Sequence, residues 1–388
     1  MSKRSTKRAR GFSLMEMVVA TALGTIVVAS ATQLYVQGVN ATWTVSQKAE
    51  MQQDFRAASN MLTKDLSLAG AGLGNGAAIQ LPTSSTIPIY GCDQSSTCYI
   101  NGASVKYPQQ GSTPFLYGLL TGYNAGPIIS GQNTDIVTVV YTDPAFYLNC
   151  YTASVASTTT VTFALPATMS TNCTAPPSAS YPASVQSIND SAVGLSPGDL
   201  VLFFFTSGSN TIPVVGEVYG ATPTSTTVTF NAGDPLKMNQ GSAIPKSLAS
   251  EYSSSTTTTG YGVRLEVITY YLDTTVTPSR LMRQISGHSP VPVAESAVYM
   301  KFTYDLYNSA TNTTATQCQN PGASTDVCFS GSSSGLLPNQ ITKINIANMA
   351  MDSSVKGSLY GLSKGDQSID LQTSVSARNL TYVNQYSQ

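Results

Sequence analysis

Glu16 is the first residue whose type and position call for a chemical explanation. It is the only charged residue between Arg10 and Lys48, and an apolar run follows it directly. A carboxylate at membrane depth costs about 2.5–3.5 kcal/mol on insertion scales, so such a residue needs a partner.

Cysteines form the second set of residues with chemical potential. The six of them fall into three couples close in sequence, Cys92 with Cys98, Cys150 with Cys173, and Cys318 with Cys328. Six cysteines allow fifteen pairings. We predict pairing within each couple, because each one brackets a loop rich in Ser, Thr, Pro, Asn or Gly. No CxxC spacing supports a metal site, so the pattern favours disulfides over free thiols and indicates an oxidising compartment.

Catalytic chemistry finds little support. His288 is the only histidine of the chain and lies in a Ser/Pro/Gly loop, where we interpret it as solvated. A Ser-His-Asp or Cys-His site would depend on it alone, and no GxSxG, HExxH or P-loop motif is found. Seven aspartates lie beside turn-forming residues, which favours a role in turns over a role in calcium binding: Asp143, Asp190, Asp199, Asp234, Asp326, Asp352 and Asp366. We therefore predict a non-enzymatic protein without metal or cofactor.

The charges are few and unevenly placed. Charged residues make up 10% of the chain, and five of the 19 basic ones lie in the first ten positions: Lys3, Arg4, Lys7, Arg8 and Arg10. Without them the chain is net acidic, so its charge predicts no nucleic-acid contact. The abundance of Ser, Thr, Gly, Asn and Tyr is typical of a weakly charged, β-rich extracellular surface.

A membrane-spanning segment follows Glu16. Met17–Val36 contains no charge and no proline, and a helix of this length crosses the hydrocarbon core. The basic residues before it are expected to stay cytoplasmic, so the chain beyond it is predicted to be exported. One interpretation is a signal peptide cleaved after Ala29-Ser30-Ala31, and another is a plain signal anchor. Neither explains Glu16.

The stretch Gly11-Phe12-Ser13-Leu14-Met15-Glu16, with a basic leader before it and an apolar run after it, resembles the cleavage and methylation site of type IV prepilins. The resemblance implies that a prepilin peptidase cleaves between Gly11 and Phe12 on the cytoplasmic side. It also implies N-methylation of Phe12. Glu16 would then be the fifth residue of the mature chain, where the family uses it in assembly, paired with the N-terminal amine of a neighbouring subunit.

The helix is expected to continue beyond the span. Apolar residues at steps of three or four form a stripe suited to pack on a globular domain: Met51, Phe55, Ala58, Leu62 and Leu66. Gly70, Gly72 and Gly74 predict its end. A single helix from Phe12 to Ala69 is expected, with Gly24 and Gly38 as flexible points. The predicted organisation is a cleaved leader over 1–11, a transmembrane and assembly helix over 12–36, an amphipathic continuation over 37–70, and an exported β-rich head over 71–388.

The head sequence alternates between short β-like runs and Gly/Pro/Ser/Thr loops. Nine runs are predicted as strands: Asp135–Tyr141, Asp199–Thr206, Val214–Tyr219, Thr226–Phe230, Val263–Leu272, Arg280–Ile285, Val298–Tyr307, Ile341–Met349 and Leu371–Leu380. Leu200–Phe205 is continuously apolar and predicts a central strand. The expected fold is therefore α+β and pilin-like, with a long N-terminal helix packed on a mostly antiparallel sheet.

Several head segments extend the resemblance. KDLSLAGAG, GDLVLFFF, RLEVITYYLD, LMRQI, VAESAVYMKFTYDLY and SVSARNL look like the PilW-type minor pilins, and the J-type pseudopilin of type II secretion shares the ground plan. The resemblance implies a minor pilin that initiates or caps a type IV pilus and supports adhesion, motility or DNA uptake. A pseudopilin is the alternative within the superfamily, and a secreted or membrane-anchored adhesin is the alternative outside it.

The resemblance also implies partners and a location. The partners are the prepilin peptidase, other minor pilins, the major pilin, the inner-membrane assembly platform, and membrane lipid through residues 12–36. The precursor is expected in the inner membrane as a single-pass protein with a periplasmic C-terminal domain, and the mature subunit at the pilus and cell surface.

Overall fold

The computed structural model describes residues 11–74, 78–82, 86–175, 181–207, 210–240, 259–321, 336–352 and 368–380. The chain forms two compact units. Within the described residues, the N-terminal unit contains the chain up to Gln52, and the head begins at Gln53.

One long helix, α1 (Leu14–Ser67), supplies residues to both units. It continues through Gly24 and Gly38, and it begins two residues later and ends two residues earlier than predicted. Its C-terminal end is set by Gly70, whose φ of 78° lies in the left-handed region. Gly70 N–H donates to the Val140 carbonyl at 2.9 Å, so the chain passes directly from the helix to the sheet.

The head consists mainly of strands. In its first part these are β1 (Ala78–Gln80), β2 (Ile89–Tyr90), β3 (Val105–Lys106), β4 (Gln109–Gln110), β5 (Thr113–Tyr117), β6 (Leu119–Gly122), β7 (Ile128–Ile129), β8 (Gln132–Asn133), β9 (Ile136–Thr142), β10 (Thr152–Ser157) and β11 (Thr160–Ala164). In its second part they are β12 (Leu200–Ser207), β13 (Asn210–Glu217), β14 (Thr227–Thr229), β15 (Thr259–Asp273), β16 (Arg280–Ile285), β17 (Val291–Glu295), β18 (Ala297–Asn308), β19 (Thr313–Cys318), β20 (Ile341–Asp352) and β21 (Ser368–Ser376). Single 3₁₀ turns lie at Leu148–Cys150 and Pro338–Gln340.

A ten-stranded sheet forms the centre of the head. Its main order is β13-β12-β15-β10-β11-β14. The 15-residue strand β15 joins two halves of this sheet. Its first half pairs with β12 and β10, and its second half pairs with β9 and β16. A four-stranded sheet of order β19-β18-β20-β21 lies beside it. The ladders between described strands are antiparallel.

The core lies on both faces of β12. Leu200 and Leu202 belong to one buried cluster, and Val201, Phe203 and Phe205 belong to another. A strand buried on both faces reads as a continuous apolar run, because the alternation of side chains then leaves no polar position. The prediction of a central strand at Leu200–Phe205 is confirmed, since β12 lies between β13 and β15.

The C-terminal part of α1 packs in the head. Phe55, Ala58, Leu62 and Leu66 are buried, as the predicted apolar stripe requires, and Met51 is buried as well. Between them lies a buried acid, Asp65, which is 4% exposed. Burial of a carboxylate without a partner is strongly unfavourable, so its surroundings decide whether it stabilises the fold.

Asp65 accepts two hydrogen bonds from the sheet. Its Oδ2 atom is 2.7 Å from the Tyr270 hydroxyl and 2.9 Å from Arg283 Nε. Tyr270 of β15 and Arg283 of β16 are direct cross-strand partners. A single helix carboxylate therefore binds one side chain from each of two neighbouring strands and ties the helix to the sheet.

The predicted fold class is confirmed, because a long apolar N-terminal helix precedes a mostly antiparallel β domain. Each of the nine predicted strands overlaps an observed one. The predicted strand Leu371–Leu380 is placed too late, since β21 ends at Ser376 and residues 378–380 form a helical turn. Strands β1 to β8 lie in a loop-rich region and were not predicted, because runs of two to five residues carry too little alternation.

Candidate processing and assembly site

The backbone before α1 is not helical. Gly11, Phe12 and Ser13 precede the helix and are exposed, and the Phe12 side chain is 88% exposed. A Cβ atom added to Gly11 would meet no other atom within 4 Å. The peptide bond between Gly11 and Phe12 is therefore open to an enzyme, within the part of the chain that the structure describes.

Ser13 and Glu16 form a reciprocal cap on the helix. The Ser13 N–H donates to Glu16 Oε2 at 2.9 Å, and the Glu16 N–H donates to Ser13 Oγ at 3.2 Å. The first bond within the helix runs from Met17 N–H to the Ser13 carbonyl. This is a capping box, in which two otherwise unpaired N–H groups at a helix start are satisfied. The carboxylate of Glu16 is thus held beside the start of the helix, three residues from Ser13.

The first half of α1 has the surface of a membrane helix. By length and composition it can cross a bilayer, and none of its apolar stretch is buried within the protein. Its hydroxyl groups are satisfied by the helix itself: Thr21 donates to the Met17 carbonyl at 3.0 Å, Thr25 to Ala22 at 2.8 Å, and Ser30 to Ile26 at 2.8 Å. Lipid offers no hydrogen bonds, so such internal pairing is what a spanning helix needs.

Comparison with protein families gives a match over this same segment. A family described as "Prokaryotic N-terminal methylation motif" matches residues 6–32. The N-terminal segment of this protein is type IV prepilin-like. The match covers the last basic residues before Gly11, the Gly11–Phe12 bond, Glu16 and the first part of the apolar helix. A prepilin-like motif of this kind implies processing by a prepilin peptidase and assembly with other pilins.

The motif and the apolar helix together indicate a membrane-anchored precursor and point to a structural protein. Comparison with curated proteins and with solved structures returned no match. The prepilin-like character therefore rests on the N-terminal segment.

Two of the predicted cysteine couples are joined in the structure. Cys92 is bonded to Cys98 and Cys150 to Cys173. Cys318 is also disulfide-bonded, while Cys328, its predicted partner, lies outside the described residues. The Cys150–Cys173 connection is reinforced by Asn149, whose amide donates to the Asn172 carbonyl at 2.7 Å.

The environment of His288 differs from the solvated loop that we expected from the sequence. It is not a fully solvated loop residue: its Nε2 atom is 2.8 Å from Asp199 Oδ1, and its side chain is 36% exposed. The hydrogen bond to Asp199 raises the pKa of His288. The pair joins the start of β12 to the loop after β16.

The described aspartates mostly cap turns, as predicted. Asp143 accepts from Ala145 N–H, and Asp190 accepts from Ala192 N–H, each at 2.8 Å. Asp326 and Asp366 lie outside the described residues. Asp143 in addition forms an ion pair with Arg264. Among the residues that the structure describes, no group of three or more His, Cys, Asp or Glu side chains is placed to hold a metal ion.

One buried acid pair had no signal in the sequence. Glu217 and Asp234 are 0% and 2% exposed, and their carboxyl groups are hydrogen-bonded to each other. Glu217 Oε1 accepts from the Gln94 amide, and Oε2 accepts from Leu236 N–H at 2.9 Å. The pKa of Glu217 is raised to about 9, mainly by burial and to a smaller extent by the contact with Asp234. Glu217 therefore carries a proton at neutral pH and donates it to the Asp234 carboxylate.

Because the folded head holds this proton, its free energy of unfolding is expected to depend on pH. The folded head holds a proton on Glu217 that the unfolded chain, with a carboxyl pKa of 4.5, has released at neutral pH. The free energy of unfolding should therefore fall as pH rises toward 9, by at most about 1.4 kcal/mol per pH unit. Glu217→Gln should remove this slope. Urea unfolding of the full chain between pH 7.5 and 9, in a zwitterionic detergent, measures it.

The range between pH 7.5 and 9 separates the titration of Glu217 from that of Glu266. Burial raises the pKa of Glu266 to about 7, so Glu266 contributes mostly below the chosen range. Glu217→Gln and the control Glu266→Gln are both made in a His288→Gln background, so that His288, whose pKa is raised by its hydrogen bond to Asp199, does not contribute; the control should keep the slope between pH 7.5 and 9. A Glu217→Gln protein with an unchanged slope would show that Glu217 is already ionised in the folded head.

Proposed function

We propose that the protein is a minor pilin, a structural subunit that initiates or caps a type IV pilus after cleavage between Gly11 and Phe12. The observation that carries the proposal is the methylation motif over residues 6–32, which coincides with an exposed, non-helical Gly11–Phe12 bond before a capped apolar helix. In this proposal Phe12 is N-methylated. The span then anchors the precursor in the inner membrane with the head on the periplasmic side.

The head supports a role above the membrane. It carries disulfide bonds, few charges and a large antiparallel core, all of which suit an oxidising, extracytoplasmic compartment. A head of this size suits a low-copy subunit at the filament tip, where no neighbour lies above it. Other minor pilins, the major pilin and the inner-membrane assembly platform are the proposed partners, and the mature subunit reaches the pilus and cell surface.

The first test is the N-terminal residue of the mature protein. Mass spectrometry of the protein from its native membrane should find N-methyl-Phe12. Mature chains that begin at Thr32 would instead indicate an ordinary signal peptidase. Chains that keep Met1 or Ser2 would indicate a plain anchor, and either result would contradict the proposal.

Gly11→Leu sharpens this test. A Cβ atom added at Gly11 meets no other atom within 4 Å, so the fold is expected to be unchanged while the peptidase loses its recognition site. We expect an uncleaved precursor that remains in the membrane. Gly24→Leu is the matched control, because Gly24 is equally open and lies within the helix; it should be cleaved like the wild type.

The J-type pseudopilin of a type II secretion system is the second candidate, since it would share the same processing. Deletion of the gene separates the two. Loss of surface filaments with normal protein secretion supports the pilus subunit, and the reverse phenotype supports the pseudopilin.

A further inference from the structure

One face of the central sheet ends in an open cleft of about 390 Å³. Phe204 of β12 lies opposite Tyr261 of β15, and Thr206, two residues further on, lies opposite Thr211 of β13. Residues two apart on a strand share a face, so these side chains point to the same side of the sheet. An aromatic pair and a pair of threonines are therefore placed side by side along three adjacent strands.

The aromatic part of the cleft is a stacked pair. The ring centroids of Phe204 and Tyr261 are 5.1 Å apart, with an angle of 26° between the rings. Both rings are only partly buried, whereas Phe203 and Phe205 on the opposite face of β12 are fully buried. This pair thus presents apolar surface to the cleft that the head does not cover within its described residues.

The polar part of the cleft is rich in uncommitted hydroxyl groups. Thr206, Thr211 and Thr259 are exposed, and their hydroxyls make no hydrogen bond within the described part of the chain; the same holds for the Tyr261 hydroxyl. Burial raises the pKa of Tyr261, so its hydroxyl stays protonated at neutral pH. Each of these groups can donate and accept.

Charge is missing from this surface. None of the described residues that line the cleft is acidic or basic. An anionic ligand such as a phosphate or a sialylated sugar would find no cation to pair with. A purely apolar ligand would leave the hydroxyl groups covered and unpaired, which costs about 1–3 kcal/mol for each buried group.

We propose that this cleft binds a neutral saccharide. A pyranose ring has a face of C–H groups, which are attracted to the negative face of an aromatic ring, and a rim of hydroxyls, which match the threonine hydroxyls. The cleft volume lies within the range of about 300–1,000 Å³ that is common for small-ligand sites. This site goes beyond the proposed assembly role and does not depend on cleavage at Gly11.

The experiment uses the full chain in phospholipid nanodiscs, because glycoside detergents would compete for the cleft. Saturation-transfer NMR and calorimetry would be run with maltotriose, cellotriose and triacetylchitotriose, and with sialyllactose as the charged comparison. We expect at least one neutral trisaccharide to bind and sialyllactose not to bind. Absence of binding by all three neutral sugars at about 20 mM, a concentration well above the millimolar Kd of a weak site, would overturn the proposal.

Variants assign the binding to the cleft. Thr206→Val with Thr211→Val removes two exposed hydroxyls at almost constant shape and should weaken binding about five- to tenfold. Phe204→Ala should abolish detectable binding, and its fold is checked by near-UV circular dichroism. Thr314→Val is the matched control, because Thr314 is an exposed threonine on β19 in the other sheet. Equal affinity of the Thr206/Thr211 double variant and the control would place the sugar elsewhere and overturn the proposal.

Discussion

Glu16→Ala is expected to leave membrane insertion and cleavage after Gly11 intact while lowering incorporation into filaments by at least about tenfold. The apolar span that drives insertion follows Glu16 and is unchanged, and the Gly11–Phe12 bond lies outside the helix. The proposed partner of the carboxylate is the amine that cleavage creates on Phe12 of a neighbouring subunit. Removing one member of a desolvated pair leaves the other charge unpaired, which is the costly case.

The capping box adds a second role that has to be separated from the first. Glu16 accepts from Ser13 N–H, so its loss also removes a helix cap, which costs about 0.5–2 kcal/mol. Glu16→Gln keeps a capping oxygen but has no charge, since glutamine also completes a capping box. If ion pairing between subunits is the function, Glu16→Gln fails like Glu16→Ala.

Ser13→Ala is the complementary variant. It removes the hydroxyl that accepts from Glu16 N–H and keeps the carboxylate, so filament incorporation should remain close to that of the wild type. The measurement is an immunoblot of sheared filaments against the membrane fraction for each variant. Normal incorporation of Glu16→Gln together with failure of Ser13→Ala would show that the residue acts only as a cap.

Asp65→Ala is expected to lower the free energy of unfolding of the head by about 3–5 kcal/mol. Asp65 accepts from Tyr270 and from Arg283, and the Arg283 side chain is only 16% exposed. The variant leaves the guanidinium group and the Tyr270 hydroxyl without their acceptor in a largely buried site. Urea unfolding of the full chain, followed by near-UV circular dichroism, measures the change.

The matched control is an exposed ion pair of the same sheet. Arg280 and Glu295 are 3.3 Å apart, with side chains 36% and 57% exposed. Glu295→Ala should therefore cost no more than about 1 kcal/mol. A double variant, Asp65→Leu with Arg283→Met, should recover part of the loss, since an apolar pair needs no partner. A loss below about 1 kcal/mol in Asp65→Ala, the range of an exposed pair, would show that the ion pair does not hold the helix to the sheet.

The features that were predictable from sequence are local ones. The methylation motif, the span, the apolar stripe from Phe55 to Leu66 and the central strand at Leu200–Phe205 each occupy a short stretch. Backbone geometry alone decides which of these residues share a face, because helices and strands have fixed periods. The capping box is a local pattern as well, Ser13-x-x-Glu16.

The remaining features were decided by the tertiary structure. Asp65 meets Arg283 across 218 positions of sequence, and Glu217 meets Gln94 across 123. Phe204 faces Tyr261 only because β12 pairs with β15 in one particular register. The periodicity of a segment predicts which of its faces is buried, but it does not predict which distant segment covers that face. The sequence by itself was enough to predict the N-terminal methylation motif and the apolar helix that can span a membrane, because both are local patterns; strand register and the burial of single charges decided which distant residues meet in the head.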